Sequence, residues 1–273
     1  MKTLYLTDLD GTLLRSDERV SEYTMDVINR FVQNGGYFSY ATARSIVSAS
    51  KATAGLAVEF PAICYNGAFI IGNKSNEVLR SNYFSQEEIT IVREVLTEHK
   101  VFPIIYAHIN AEERFSYMEH HINDGMRSYL DSRLGDLRRR IAANIDNLYF
   151  GDIFYFSCID DESKLAPIRD IFMPDGRFQC LYQKDIYSNA QWCEILPQSA
   201  TKANAALQLK ETLNCDKLVV FGDGLNDMSL FSVADESYAM SNAVPELKEI
   251  ATGVIGSNNG DGVAKWIEEN VLY

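Results

Sequence analysis

The short apolar run Leu4-Tyr5-Leu6 leads into Asp8-Leu9-Asp10-Gly11-Thr12 close to the start of the chain, and this junction constrains the fold more than any other segment. A run of that kind reads as a strand buried on both faces of a parallel sheet, and open sheets of that type bind ligands at the carboxyl ends of their strands. Side chains alternate along extended backbone, so Asp8 and Asp10 are expected to converge while Leu9 turns into the protein. Gly11 and Thr12 then break the strand.

Apolar strands alternate with amphipathic helices at both ends of the chain. Ser21 to Val32 carries Met25, Val27, Ile28, Phe31 and Val32 at helical spacing and stops at Gly35-Gly36. Tyr37–Ala41 reads as a second strand, Ser45–Leu56 as a helix, Pro61–Tyr65 as a third strand and Gly67–Ile71 as a further extended piece. The rhythm returns near the other end, with strands Trp192–Leu196, Lys217–Phe221 and Ser237–Met240 between helices Thr201–Leu213 and Asn226–Ala234. Such alternation predicts an α/β fold with a doubly wound, Rossmann-like parallel sheet. Between about Tyr83 and Asn189 the texture changes. One helix, Gln86–His99, is followed by strands Val101–Ile109, Ile153–Ile159 and Gly176–Tyr182 without a regular helix between each pair. The expected organisation is a sheet domain of residues 1–82 and 190–273 and an inserted α+β domain of residues 83–189, hinged near Ser81-Asn82 and Ser188-Asn189.

Composition excludes several classes. With 25 Lys and Arg against 38 Asp and Glu the net charge is −13, which disfavours nucleic acid and anionic membranes as partners. No apolar segment reaches the ~18 residues of a membrane span and no basic leader is apparent, so a cytoplasmic protein is expected. The five cysteines are scattered and never form Cys-x-x-Cys, which argues against a disulfide framework or a zinc knuckle. Arg138-Arg139-Arg140, followed by Ile141-Ala142-Ala143, reads as the solvated face of a helix. His120-His121 points in two directions on any regular element and makes a poor metal site.

Four strand ends carry the candidate chemistry. Besides Asp8 and Asp10, they hold Thr42-Ala43-Arg44, whose hydroxyl and charge suit a phosphate oxygen, and Lys202, an ammonium near a helix start. The fourth is Gly222-Asp223-Gly224-Leu225-Asn226-Asp227, with two carboxylates four residues apart where a strand gives way to a helix. Asp8, Asp223 and Asp227 offer hard oxygen ligands of the kind Mg²⁺ prefers. Crowded carboxylates repel one another, so a cation or a proton is expected among them.

In this order the segments resemble the haloacid dehalogenase (HAD) superfamily, and most closely its Cof-type phosphatases with a class IIB cap. The matching stretches are Asp8-Leu9-Asp10-Gly11-Thr12-Leu13-Leu14, Thr42 with Arg44, Asn66-Gly67-Ala68, Lys202, and Gly222 to Asp227. Asn242-Ala243-Val244-Pro245 and Asn258-Asn259 with Gly262-Val263-Ala264 extend the match. The resemblance implies that Asp8 is nucleophile and Mg²⁺ ligand, and that Asp10 is general acid and base with its backbone carbonyl on the metal. It implies Asp223 as a metal ligand and Asp227 as a ligand or its support. Thr42 and Lys202 are implied to hold the phosphate, Asn226 to touch it, and Gly11, Thr12, Ala43, Arg44 and Asn66 to surround it. Ala43 and Ser241 stand where the family more often has glycine.

The activity so implied is hydrolysis of small phosphorylated metabolites, with sugar phosphates favoured, through an aspartyl phosphate. A phosphotransferase or phosphomutase sharing that intermediate and a non-enzymatic phospholigand-binding protein are the alternatives, and a monomer or homodimer is expected. Dehalogenation needs neither Mg²⁺ nor Asp10. Asp10 must carry a proton at one step and release it at the next, so it is expected beside carboxylates or in a buried setting. The cap is expected to set specificity, with Tyr106, His108 and Arg114 as candidates by composition.

Overall fold

The protein's structure, a computed structural model, describes residues 1–184 and 190–272, so the hinge expected at Ser188-Asn189 lies outside the described residues. Two compact units are present, one of Met1–Ser81 with Ala200–Tyr273 and one of Asn82–Ser199.

In the first unit the described strands form a parallel sheet in the order Gly253–Ile255, Glu236–Met240, Lys217–Gly222, Thr3–Thr7, Tyr37–Tyr40. Thr7 lies opposite both Phe221 and Tyr40, so three strand ends finish at one level. From Thr3–Thr7 the chain runs outward to Tyr37–Tyr40, and after the second unit it returns on the other side through Lys217–Gly222. This reversal of strand order is the place where open α/β sheets form their ligand crevice. Helix Glu22–Gln33 is capped by Ser21, whose side chain accepts the Thr24 N–H, and it buries Val27, Ile28 and Phe31. It packs on helix Gly262–Asn270. Phe31 and Trp266 from this pair cover Tyr5, and Trp266 also meets Phe221 and Tyr238. Leu4, Leu6 and Val220 alternate with these rings, point to the opposite face and are fully buried.

The segment read as a third strand of this sheet behaves differently. Ala62–Cys64 pairs antiparallel with Phe69–Ile71, which pairs with Val78–Ser81, and a parallel bridge from Ile63 to Ala41 ties this small sheet to the large one.

The second unit holds a sheet in the order Phe178–Lys184, Gln191–Pro197, Asp152–Asp160, Ile104–Ile109, Glu112–Tyr117, Arg139–Ile141. Its pairings are antiparallel except the last. Trp192–Leu196, expected in the parallel sheet, therefore belongs here, paired with Asp152–Asp160 and Phe178–Lys184. The boundary accordingly falls between Ser199 and Ala200 and not at residue 190. The arginine run is also reassigned. Arg139–Ile141 is an edge strand, Arg138 pairs with Glu113 at 2.5 Å and Asp136 at 2.6 Å, and Arg140 donates to Ser116 Oγ at 3.0 Å. These partners, Glu113 and Ser116 on the neighbouring strand and Asp136 two residues before Arg138, offset the charge that a helix would have left to solvent.

One face of this sheet packs Phe156, Cys158, Cys193 and Ile195 against Val92 and Leu96 of helix Gln86–Glu98 and Leu165, Ile168 and Phe172 of helix Glu162–Phe172. Phe156 is fully buried at its centre. Phe156→Ala should lower the unfolding free energy by about 3–5 kcal/mol, measured by urea denaturation. A loss below ~1 kcal/mol would contradict this packing.

Candidate active site

Asp8 follows strand Thr3–Thr7 directly, and its N–H donates to the Phe221 carbonyl at 2.9 Å, carrying the sheet register one residue further. Beyond it the chain folds into a tight turn closed by the Leu14 N–H on the Leu9 carbonyl. Leu9 is fully buried, as alternation predicts. Gly11 takes φ +75°, and a Cβ there would lie 2.2 Å from Asp223 Oδ2. Glycine is therefore required both for the turn and for the approach of the carboxylate. Thr12 Oγ1 donates to the other oxygen of Asp223 at 2.7 Å.

Lys202 opens the helix Lys202–Thr212, which Thr201 caps by accepting the Asn204 N–H. The Lys202 side chain is fully buried and Nζ donates to Asp8 Oδ1 and to Asp227 Oδ1, each at 2.7 Å. Asp227 Oδ2 accepts the backbone N–H groups of Asp223 at 3.0 Å and Gly224 at 3.1 Å. Both Asp227 oxygens are thus engaged, and this carboxylate ties Lys202 to the loop that presents Asp223. Carboxylate oxygens of Asp8, Asp223 and Asp227 lie within 4.8 Å of one another. Hard oxygen donors at this spacing suit a divalent cation such as Mg²⁺.

Electrostatics agree with that fit. Burial pushes the Asp8 carboxyl well above the usual carboxylate range, Lys202 opposes the shift, and Asp227, Asp223 and Asp10 add to it. Burial followed by the Asp227 charge raises Asp223 to about 7. Burial pulls the Lys202 ammonium down, but Asp227 and Asp8 outweigh it and hold the pKa above that of an ordinary lysine.

The remaining sequence candidates divide. Thr42 is fully buried, its N–H bonds the Ile63 carbonyl, and its hydroxyl accepts the Arg44 N–H at 3.1 Å. Asn66 is 1% exposed, donates its N–H to the Thr42 carbonyl and accepts from Asn226 Nδ2 at 3.3 Å, so it joins two strand-end loops. Tyr65, Asn66 and Gly67 all take positive φ, at 50°, 52° and 104°. A Cβ on Gly67 would fall 2.2 Å from the Thr201 carbonyl, so this strained turn is pressed against the start of the Lys202 helix. Ala43 and Ser241 are not among the positive-φ residues, so neither position requires the family's glycine.

Arg44 and Asp10 depart from expectation. The Arg44 guanidinium, expected toward a phosphate, grips Asp10 through Nε–Oδ2 at 2.7 Å and Nη2–Oδ1 at 2.5 Å, and also reaches Glu18 at 2.7 Å. Both Asp10 carboxylate oxygens are engaged by this fork, and its side chain is 38% exposed. A planar guanidinium matches a carboxylate bidentately, which a sequence cannot disclose for residues so far apart. In the second unit Tyr106 meets the Tyr129 hydroxyl, His108 Nδ1 meets the Tyr83 hydroxyl at 3.0 Å, and Arg114 pairs with Glu112.

Asn242 and Asn258 matched the family without a stated task. Asn242 Nδ2 donates to the Gly11 carbonyl at 2.8 Å, its Oδ1 accepts the Asn258 N–H, and Asn258 Nδ2 donates to the Leu14 carbonyl at 2.9 Å. They brace the Asp8–Leu14 turn from the far end of the chain. Asparagine offers an acceptor and two donors, so asparagine pairs among strand-end loops were the available signal.

A family model described as haloacid dehalogenase-like hydrolase matches residues 5–267. The 5-amino-6-(5-phospho-D-ribitylamino)uracil phosphatase YitU of Bacillus subtilis is 23% identical over 97% of this chain and 96% of its own. A Thermotoga maritima structure, TM0651, superposes with a TM-score of 0.77 at 25% identity over 98% of this chain and 97% of its own. The subclass IIB sugar phosphatase BT4131 does so with a TM-score of 0.77 at 17% identity, covering 98% of each chain. A haloacid dehalogenase-like hydrolase from Bacteroides thetaiotaomicron reaches 0.80 at 22% identity, over 98% of this chain and 99% of its own.

Asp223 titrates higher in the folded protein, at about 7, than its ordinary value of 3.8. Its contribution to stability is therefore complete below the unfolded value and is lost as pH rises toward 7. A cation that binds the ionised carboxylates competes with those protons, so Mg²⁺ should raise Tm more at about pH 8 than at about pH 5. Equal shifts at both pH values would contradict a site built on these carboxylates. Lys202→Met leaves Asp8 and Asp227 uncompensated and should cost about 3–5 kcal/mol in denaturant titrations.

Proposed function

The chain belongs to the haloacid dehalogenase-like hydrolase family, and we propose that it is a Mg²⁺-dependent phosphatase that hydrolyses small phosphomonoesters through an aspartyl phosphate on Asp8. The observation that carries this reading is the buried Lys202 ammonium at 2.7 Å from Asp8 Oδ1, with the Asp223 carboxylate beside it at the switch point of the sheet. Asp8, Asp223 and the Asp10 backbone carbonyl would hold the metal, while Asp227 fixes Lys202 and the Asp223 loop. When bound, Mg²⁺ supplies charge that neutralises the carboxylates and the phosphoryl oxygens.

The chain's own groups supply the rest. An Asp8 oxygen attacks phosphorus, the ester P–O bond breaks, and the alcohol leaves with a proton from Asp10. Water then attacks the phosphoryl group as Asp10 takes back a proton, which frees phosphate and restores the Asp8 carboxylate. Lys202 has three N–H donors and uses two on Asp8 and Asp227, so one remains for a phosphoryl oxygen. The Thr42 hydroxyl accepts the Arg44 N–H and keeps its own hydrogen to donate. Arg44 holds Asp10 in place through both of its carboxylate oxygens.

Sugar or polyol phosphates are the favoured substrates. Support comes from the relatives named for a phosphoribitylamino uracil and for a sugar phosphate.

Asp8→Asn should lower phosphate release by at least ~10³-fold, because an amide is a far weaker nucleophile. Asp10→Asn should lose more on alkyl phosphates than on p-nitrophenyl phosphate, whose leaving group needs little protonation. Wild-type turnover in Asp8→Asn, or full activity in excess chelator, would overturn the reading.

A further inference from the structure

Three of the five cysteines gather on the core face of the second unit's sheet. Cys193, on strand Gln191–Pro197, lies directly opposite Cys158 on Asp152–Asp160. On its other side runs Phe178–Lys184, where Cys180 is opposite Ile195 and so stands diagonally from Cys193. The side chains span that diagonal, and the Cys180 and Cys193 sulfurs meet at 3.6 Å. Cys158 and Cys193 are fully buried, whereas Cys180 is the partly exposed member of the five. It sits on an edge strand, which pairs on one side only among the described residues.

The surroundings give the two thiols different characters. The Cys193 S–H donated to the Cys180 sulfur lowers the Cys180 pKa, burial opposes this, and the Arg169 guanidinium adds to the lowering. Arg169 also covers the ring of Tyr182, two residues along the same strand face, at 4.8 Å. The same hydrogen bond, together with burial, raises Cys193. A partly exposed thiol beside a cation is the one an oxidant meets first, and a buried thiol in contact with it is placed to resolve the product. We propose that Cys180 and Cys193 form a reversible redox site of the second unit, in which a hydroperoxide oxidises Cys180 and Cys193 closes a disulfide onto it. This site is independent of the phosphatase chemistry in the first unit.

The Cys180 thiolate attacks the peroxide, an S–O bond forms as the O–O bond breaks, and the departing oxygen takes a proton to leave as water. The Cys193 sulfur then attacks the Cys180 sulfur, the S–S bond forms as S–O breaks, and hydroxide leaves with the Cys193 proton as water. Each sulfur gives up one electron overall, and the peroxide takes both. The sulfurs must draw together to about 2.0 Å, a movement eased on an edge strand held from one side. A dithiol reductant reverses the bond by exchange.

The test treats the reduced, folded full chain with a few equivalents of hydrogen peroxide, then alkylates it and maps the peptides by mass. Wild type should lose two hydrogens and yield a linked Cys180–Cys193 peptide that dithiothreitol removes. Cys158→Ala should form the same link. Cys193→Ala should instead hold a sulfenic acid on Cys180, giving at least about tenfold more dimedone label than wild type. Cys180→Ser should lose the Cys193 thiol at least about tenfold more slowly. The wild-type map decides the matter even where a substitution impairs folding. Survival of both thiols in wild type, a Cys158–Cys193 link with Cys180 still alkylated, or sulfinic acid on Cys180 beside an intact Cys193 thiol would each overturn the proposal.

Discussion

A fully buried ammonium shared by two carboxylates organises the first unit. Lys202 reaches Asp8 at the end of one strand and Asp227 beyond the end of its neighbour, each at 2.7 Å. Such a charge is tolerated only if its partners are held in place, and breaking one leaves the others uncompensated. The surrounding loops meet that demand. Asp227 is fixed by two backbone N–H groups, Asp223 by Thr12, and the turn carrying Asp8 by Asn242 and Asn258. The positive φ at Gly11 and Gly67 follows from the same crowding, since a side chain at either would strike Asp223 or the Thr201 carbonyl.

The arrangement is pre-strained toward a cation. Burial and the neighbouring carboxylates raise the affinity of Asp8 and Asp223 for protons, and Lys202 opposes only part of that shift. The residues therefore present a buried carboxylate at Asp8, a partly neutralising ammonium and a deficit of positive charge at the sheet's switch point. Asp10 is held by Arg44 through both of its carboxylate oxygens.

Much of this was legible before any coordinates. Asp8, Asp223, Asp227 and Lys202 announce themselves because each sits where an apolar strand gives way to a turn or helix, and alternation predicts the burial of Leu9 correctly. Pairing partners were harder to read. Trp192–Leu196 has the look of a core strand ahead of the Lys202 helix, yet it pairs antiparallel in the other sheet, because hydrophobic pattern reports burial and not the identity of the neighbouring strand. The charge of Glu194 in the middle of that strand was the sign that it differs from Leu218–Phe221. Arg44 pointed to phosphate by type, but its long side chain reaches the carboxylates of Asp10 and Glu18. The arginine run Arg138–Arg140 looked like a helix face since its acidic partner Glu113 is distant in sequence.

We propose that Asp8 carries the phosphoryl group between substrate and water. Rapid acid quench of a single turnover with ³²P-labelled phosphoester, followed by peptide mapping, would trap such an intermediate. An aspartyl phosphate on Asp8 gives transient, base-labile label on the peptide containing Asp8 and none in Asp8→Asn. Release of phosphate with no labelled protein, or label on another residue, would contradict it.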